Sequence, residues 1–542
     1  MPLSTINKGL HIAFAVVFLI SCSKRDMHAD DFLSLDKSSI RLDTLPGSSE
    51  SVIVQSSVQW TAMVSSGAGE WLRLDKTTGG PGKTVVKLSS VHGNGTTTPQ
   101  TATVTFSSTG GNPHSVILTV TQKPYTFTLG YSKTLGGTDY ESVRSVNAPD
   151  GGIVMAGATS SADGDVHGSH GKTDAWIIKL NSAGDTVWTR TLGGKGDDDA
   201  SAINVTDDGG YIITGSTDSD DGDITDKRRN SNKDLWVIKL DGSGHITWSK
   251  TFGGSASEAG YSVTGTPDGG YLLAGATNSN NGDVEGNNGG TDVWVVKLDN
   301  LGQKQWAKTY GGSSWDEAHS IIATNEGYVL SGLTYSNDGD VTGYHTPTFI
   351  GADVLVIKID LKGNKIWAKA FGGTTDDNAT SMAAVSDGYV VGGYTNSNDG
   401  DVSRYHGRQA LFYDMWVLKL NGDGNIVWSK AFGGTFDEAC TSLTKTPDGG
   451  FVLAGGASSI DGDVISNHNK ADNDDFWIVK LDADGNKQWT KTLGGSGDDV
   501  AYSILVNADG YAVTGVTSRT DGDVSGIFRG QYDIWTTKLI IQ

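Results

Sequence analysis

One motif of about sixty residues recurs seven times along this chain, and any fold open to it has to respect that period. A Gly-Gly pair closes each copy, starting at Gly136, Gly193, Gly253, Gly311, Gly372, Gly433 and Gly494. A second mark, Asp-x-(Trp/Leu)-x-x-Lys-(Leu/Ile), starts at Asp174, Asp234, Asp292, Asp353, Asp414, Asp475 and Asp533. Repeated units of this size bury their faces against their neighbours, so the period predicts a solenoid, a propeller or an array.

The third copy shows what one unit contains. Residues 260–266 (GYSVTGT) and 271–277 (YLLAGAT) read as strands on either side of Pro267-Asp268-Gly269-Gly270. In that turn Pro presets φ, Asp bonds nearby backbone and Gly supplies positive φ. Beyond a polar loop, residues 293–298 (VWVVKL) and 304–312 (KQWAKTYGG) add two more strands, rich in β-branched and aromatic side chains. No helical period competes with this pattern. Each copy is therefore four antiparallel strands, A to D. The last copy stops after its C strand, while an orphan D-like segment, residues 131–137 (YSKTLGG), precedes the first A strand. Donated to the last unit, it closes a ring and removes both sheet edges. The prediction is all-β: a seven-bladed β-propeller of four-stranded blades, its ring closed by an N-terminal strand.

The stretches GGSGDDVAYSILVNADGYAVTGVTS and DDFWIVKLDADGNKQWTKTLGG resemble the SBBP-type bacterial β-propeller repeat, over roughly residues 129–542. The resemblance implies the fold and carries no function. Where that repeat ends its B–C passage in Phe-Pro, this chain has (Asp/Asn)-Gly-Asp-(Val/Ile). Tryptophan follows the repeat: Trp176, Trp236, Trp294, Trp416, Trp477 and Trp535 fall on C strands, Trp188, Trp248, Trp306, Trp367, Trp428 and Trp489 on D strands. A ligand platform has no need of the same aromatic in nearly every unit, so these read as packing between blades.

The N-terminus follows different rules. Lys8, an apolar run over residues 10–20 and Ser21-Cys22 form a secretory signal too short to span a bilayer. Leu19-Ile20-Ser21-Cys22 resembles a bacterial lipobox, which implies a signal peptide over 1–21, palmitate-type lipidation of Cys22 and a lipid-anchored tether over 22–31. An ordinary signal peptide that happens to contain Cys is the other reading. With Cys22 lipidated, only Cys440 remains; no intramolecular disulfide forms, and Cys440 reads as an inert buried thiol. Residues 32–124 alternate in short strands and predict a small Ig-like β-sandwich ahead of the propeller at 125–542. Trp60, Glu70-Trp71-Leu72, residues 101–106 (TATVTF) and Val120-Thr121-Gln122 resemble the BACON domain. That family occurs in envelope proteins linked to glycan capture, and the resemblance implies carbohydrate or mucin binding. Trp60 and Trp71 serve equally well as core residues.

The net charge of -22 belongs to the repeats, because residues 32–124 carry slightly more Lys and Arg than Asp and Glu. Such a surface disfavours nucleic acid and repels anionic lipid, so contact with a membrane is expected through the anchor alone. The expected partner is a glycan or an envelope or extracellular protein, met by a monomer.

Strand alternation puts the D–A and B–C connections on one face, where loops on a rigid scaffold carry function. Three sets of residues compete there. Carboxylates four residues after each second glycine (Glu141, Asp198, Glu258, Asp316, Asp377, Glu438, Asp499) form either a ligand or cation mouth at the central channel or local acceptors for a neighbouring turn. The turn pairs Asp163/Asp165, Asp221/Asp223, Asn281/Asp283, Asp338/Asp340, Asp399/Asp401, Asp461/Asp463 and Asp521/Asp523 offer two oxygens to calcium, or stabilise Asx-type turns. They lack the later ligands of an EF-hand; no cofactor is required, and calcium is the one the spacing admits. Third come the residues where copies differ: Trp315, then Tyr344, His345 and Phe349, then Arg404, Tyr405, His406, Arg408, Phe412 and Tyr413, then Phe528, Arg529 and Tyr532. Aromatics beside Arg suit a sugar face or a docked partner, unless these loops bury their own aromatics.

No Gly-x-Ser-x-Gly elbow, paired metal-binding histidines or phosphate loop is present, and no asymmetric set of acid, base and nucleophile stands out. The expectation is a non-catalytic lipoprotein of the bacterial envelope, at the outer membrane, binding a glycan or protein through the loop face. A glycan-active hydrolase or lyase using the channel carboxylates is the alternative.

Overall fold

The computed structural model describes residues 31–44, 47–91, 93–94, 98–110, 113–226, 232–345, 351–408, 410–465, 467–468 and 473–541. The expected signal peptide, Cys22 with its tether up to residue 30, and Phe349 lie outside them. Among the described residues there is no α-helix. Two compact units emerge. One is drawn from the described residues up to Asp43, from Gly47–Val91 and from Thr101–Gln122; the other holds the described residues from Lys123 onward.

In the first unit, strands Leu33–Leu35, Ser49–Ser56, Gly82–Ser90 and Leu72–Leu74 form one sheet. Strands Ser39–Leu42, Ser115–Gln122, Gln100–Ser108, Trp60–Val64 and Thr78–Gly79 form another. Alternate residues point into one shared core, so Val52 with Val54, Val104 with Phe106 and Leu118 with Val120 are wholly buried. Trp60 is part of it, its ring 5.5 Å from that of Phe106, and Trp71 packs half-buried on the same cluster.

Among the described residues, the second unit contains seven four-stranded antiparallel sheets. Within a sheet, strands B and C are buried along their whole length, as in Tyr211–Thr217 and Asp234–Leu240, which is why they read as continuous apolar runs. Strand A alternates and strand D begins exposed, so A lies innermost and D outermost. Successive A strands touch in order: Glu141–Asn147, Asp198–Val205, Glu258–Gly265, Asp316–Thr324, Asp377–Val385, Glu438–Lys445 and Asp499–Asn507. The last also touches the first, so the sheets close around an axis as a β-propeller.

The last sheet receives its outer strand from the start of the unit. Phe127–Leu135 pairs antiparallel with Asp533–Ile541, placing Thr134 opposite Trp535 and Leu135 opposite Ile534. It begins four residues before the segment marked in the sequence, because Phe127, Thr128 and Leu129 pair with the end of the chain across a bulge at Leu129/Ser132. Gly136 and Gly137 leave the sheet to form the next loop.

Two repeated devices hold neighbouring strands and sheets. The C-strand tryptophans are fully buried, whereas each D-strand tryptophan from Trp188 to Trp428 lies under a turn glycine of the following repeat. Gly302, for example, has φ +77°, and a Cβ there would sit 3.0 Å from the Trp248 ring. The lysine of the Asp-x-Trp-x-x-Lys mark carries a largely buried amine that pairs with an acid on the A–B turn. The pairs run from Lys179–Asp150 at 2.5 Å to Lys358–Glu326 at 3.2 Å. A buried ammonium without such a partner would be strongly unfavourable.

Candidate functional site

A cavity of about 600 Å³ is lined by residues from six of the repeats, which places it on the propeller axis. It opens toward the loop face, where the Thr138 N–H of a D–A loop donates to Asp163 of a B–C turn at 2.8 Å. A second cavity of about 510 Å³ shares Asp199, Ser201, Tyr261 and Glu317 with it and reaches Lys233, Asn278, Thr291 and Trp315.

Two A-strand positions, six and eight residues after the first glycine of the pair, supply most of this lining. The first tier is Ser142, Asp199, Ala259, Glu317, Asn378, Ala439 and Val500; the second is Arg144, Ser201, Tyr261, His319, Thr380, Thr441 and Tyr502. Between them stand small or short apolar buried residues such as Ala200, Gly260, Ala318 and Cys440. In the last six repeats the strand bulges at the second tier, as between Ala318 and Ser320, and leaves that residue outside the ladder. A bulge re-aims a side chain. The close approach of strand B helps: a Cβ on Gly215 would sit 2.0 Å from the Asp199 carbonyl oxygen. The first repeat has no bulge, and regular alternation turns both Ser142 and Arg144 inward.

The groups that meet here differ chemically. Glu317 accepts the Trp315 indole N–H at 2.7 Å, and its other oxygen lies 3.2 Å from His319 Nε2. His319 Nδ1 is 2.9 Å from the Ala379 carbonyl, so both ring nitrogens face oxygen atoms. The Tyr261 ring meets that imidazole with centroids 5.6 Å apart. Asp199 accepts from the Ser201 hydroxyl at 3.1 Å and from the N–H and hydroxyl of Ser216 at 3.0 and 2.5 Å, with the Lys233 amine 3.7 Å away. The Arg144 guanidinium lies 4.8 Å from the centre of the Tyr502 ring. Burial pushes the phenols of Tyr261, Tyr394 and Tyr502 up, so they remain neutral donors. Trp315 is 52 % exposed with its N–H tethered, so its ring face is both fixed and free. This set corrects the expectation that no asymmetric group of residues converges. Its signal lay in two columns where the repeats disagree.

The residues singled out in the sequence fall elsewhere, with instructive exceptions. The seven carboxylates Glu141, Asp198, Glu258, Asp316, Asp377, Glu438 and Asp499 do not open on the channel mouth; all are 0–1 % exposed. Each accepts from the second glycine's N–H, as Asp198 does from Gly194 at 2.7 Å, and most also from B-strand or B–C hydroxyls, as Asp198 does from Ser219 at 2.7 Å. They are local acceptors.

The calcium expectation for the paired turns is corrected in the same way, because both members of each pair are committed to backbone of the preceding Gly-Gly loop. The first members accept from the residue after the glycine pair: Asp163 from Thr138, Asp221 from Lys195, Asn281 from Ser255, Asp338 from Ser313, Asp399 from Thr374, Asp461 from Thr435 and Asp521 from Ser496. The second members accept from the first glycine: Asp165 from Gly136, Asp223 from Gly193, Asp283 from Gly253, Asp340 from Gly311, Asp401 from Gly372, Asp463 from Gly433 and Asp523 from Gly494. Asp340 also pairs with the Lys365 amine at 2.5 Å, and Asp523 lies 3.6 Å from His468 Nε2. The two side chains of a turn thus address different donors instead of converging on calcium. Among the described residues, no group of three or more His, Cys, Asp or Glu could hold a metal ion.

Of the variable loops, Tyr344 and Tyr405 pack into hydrophobic clusters and donate to their own loop carbonyls, Gly351 and Phe412, both at 2.6 Å. His345 and His406 bind Asp353 and Asp414 at 2.9 Å and approach Asp401 and Asp463 of the next repeat. Arg529 pairs with Asp165 at 2.9 Å across the closure. These five are anchored by bonds within the protein. Arg404 and Arg408 are exposed on the loop, Phe412 packs edge-on against Phe436, and Phe528 lines a shallow outer depression. Trp315 reaches the channel cavities, and Tyr413 and Tyr532 border them, Tyr413 against Tyr394 at 5.0 Å and Tyr532 against Tyr140 at 5.9 Å. Cys440 is fully buried, and burial pushes its thiol up to about 12.

No family model matches the chain. A curated protein of Caulobacter vibrioides, Regulatory protein FlaEY, is 22% identical over 376 residues, which is 61% of this chain and 38% of that protein. The chain thus spans about two fifths of the length of that relative. Among solved structures, the Neurospora crassa Pan2 WD40 domain is 10% identical with a TM-score of 0.40, covering 76% of this chain and 95% of its own. Sqt1 from Chaetomium thermophilum is 12% identical with a TM-score of 0.38, over 77% and 100%. A Bacteroides ovatus GH5 xyloglucanase, in complex with a heptasaccharide, is 20% identical with a TM-score of 0.16, over 23% and 30%. All three scores are low, and it is the closed order of strand pairing that makes this chain a β-propeller.

Proposed function

We propose that this protein is a lipid-anchored component of a bacterial outer membrane. In this reading an Ig-like, BACON-like sandwich precedes a seven-bladed propeller of SBBP type, which captures a glycan without altering it. The channel is the binding site. One observation carries the reading: at the inward A-strand positions the repeats differ, and carboxylate, guanidinium, imidazole, amide and phenol groups gather in one cavity, which adjoins a second that the exposed Trp315 ring lines. A tethered indole with neighbouring carboxylates suits the mixed apolar face and hydroxyl rim of a sugar. Trp315→Ala is expected to weaken retention of a bound oligosaccharide about tenfold while leaving the melting temperature unchanged. Equal retention by the variant on a glycan panel would remove Trp315 from the site.

A second reading, a glycan-active hydrolase or lyase, is favoured by the Glu317–His319–Tyr261 cluster near Asp199, since different titratable groups in one cavity are what catalysis needs. Released sugar in the same panel, abolished by Glu317→Gln, would establish it over simple capture.

A further inference from the structure

Among the described residues, Arg144 of the channel cavity has no carboxylate paired with it, although Asp199 and Glu317 line the same cavity. In a protein of net charge -22, where Arg529 and the C-strand lysines each have a carboxylate, no carboxylate among the described residues pairs with its guanidinium. Its contacts are one donated bond to the Val143 carbonyl at 3.2 Å and the Tyr502 ring. The channel carboxylates are engaged elsewhere, Asp199 with two serines and Lys233, Glu317 with Trp315 and His319. Arg144 is exposed, and it lines the channel cavity. A guanidinium that no carboxylate of the described residues takes up keeps its donors available to an anion on a ligand in that cavity.

Resting on the reading of the channel as a glycan site, we propose that the ligand is an acidic glycan whose sugar carboxylate is held by Arg144. Four of the five guanidinium N–H donors are not spent on Val143, and a planar fork matches a carboxylate through two parallel bonds. Tyr140 lines the same cavity and Tyr502 covers one face of the guanidinium, while Asp199 and Asn378 stand nearby to meet ring hydroxyls. The sheet fixes the donor: Arg144 pairs with Ala156 in the regular part of its strand, so its backbone is held before any ligand arrives.

The test is a panel of uronate-bearing, sulfated and neutral oligosaccharides, titrated against the full-length mature protein and against Arg144→Gln, Arg144→Lys and Trp315→Ala. Uronate glycans are expected to bind best and to weaken with salt. Arg144→Gln is expected to reduce their affinity more than about tenfold, Arg144→Lys to recover part of it, and both to melt with the wild type. Trp315→Ala weakens acidic and neutral sugars alike. Binding of neutral sugars that is indifferent to Arg144→Gln would overturn the acidic assignment and leave glycan capture standing. Preference for sulfated over uronate glycans would overturn the carboxylate. Absence of binding by every member of the panel would overturn this proposal together with the reading on which it rests.

Discussion

Glu141, Asp377, Glu438 and Asp499 each lie at a seam between sheets, sealed from solvent and close to a carboxylate of the preceding repeat: Asp533, Asp353, Asp414 and Asp475. Burial raises the first, second and fourth to about 7 and Glu438 to about 8. An unfolded Glu or Asp ionises near pH 4, so between roughly 4 and 8 the folded chain binds more protons than the unfolded one. Their contribution to stability is complete below about pH 4 and is lost progressively as pH rises to the folded values of about 7 to 8. His345 and His406 act in the same direction: hydrogen bonds to Asp353 and Asp414 raise them, so their stabilisation is full below the unfolded value and fades above it. Asp208 opposes this, held at about 2 by the Thr206 hydroxyl and then by Lys239, and its contribution disappears as pH falls toward that value. Melting temperature plotted against pH is expected to peak between about 4 and 6 and to fall on either side. A profile flat from pH 5 to 9 would contradict the sealed-carboxyl account. At this scale the sequence showed the acids and their repetition. It could not show whether they faced water, because four residues past a glycine pair is compatible with a channel mouth or with a buried latch. The turn acids Asp340 and Asp523 misled for the same reason: spacing across a glycine offers two carboxylates, and only the fold shows each one turned to a separate backbone donor.

Among elements, the strand Phe127–Leu135 completes the last sheet by pairing with Asp533–Ile541, beside the contact of the last A strand with the first and the Arg529–Asp165 pair. Leu135 is 3 % exposed, faces Ile534 across the ladder and packs with Val143 and Trp176 of the first repeat. Leu135→Ala is expected to cost about 2–5 kcal/mol in urea unfolding, as for other buried leucines. Val85→Ala, on a half-exposed strand residue of the sandwich, should stay within about 0.5 kcal/mol. Equal effects would mean that the closure does not hold the ring. This strand was legible because its copy of the D pattern had no unit of its own. The A-strand bulges were not legible: an extra residue in a strand leaves no mark in a polar and apolar pattern already broken by small residues. The variable loops misled for a related reason. Tyr344 and Tyr405 look like exposed aromatics until the chain folds back and offers them a core and a carbonyl.

For the molecule as a whole, charge and anchoring bear on where it works. With a net charge of -22 it has little electrostatic affinity for anionic lipid, so the proposed lipid on Cys22 would be its sole hold on a membrane. Cys22→Ser is therefore expected to move the protein from the membrane fraction to the soluble fraction without changing its melting temperature. Continued sedimentation of the variant with membranes would point to a protein partner or to another anchor.

The sequence by itself determined what repeats: strands per unit, the donated strand and the tryptophans between sheets. Each of these follows from short-range pattern and steric demand, restated in every copy. The proposed ligand site was left to tertiary structure. Arg144, Asp199, Glu317, His319 and Tyr502 come from different repeats or different tiers, each unremarkable in its own strand, and only closure around an axis brings their side chains to one cavity. A repeat writes its packing in every copy, but a site on the symmetry axis is written once, one residue at a time, across all of them.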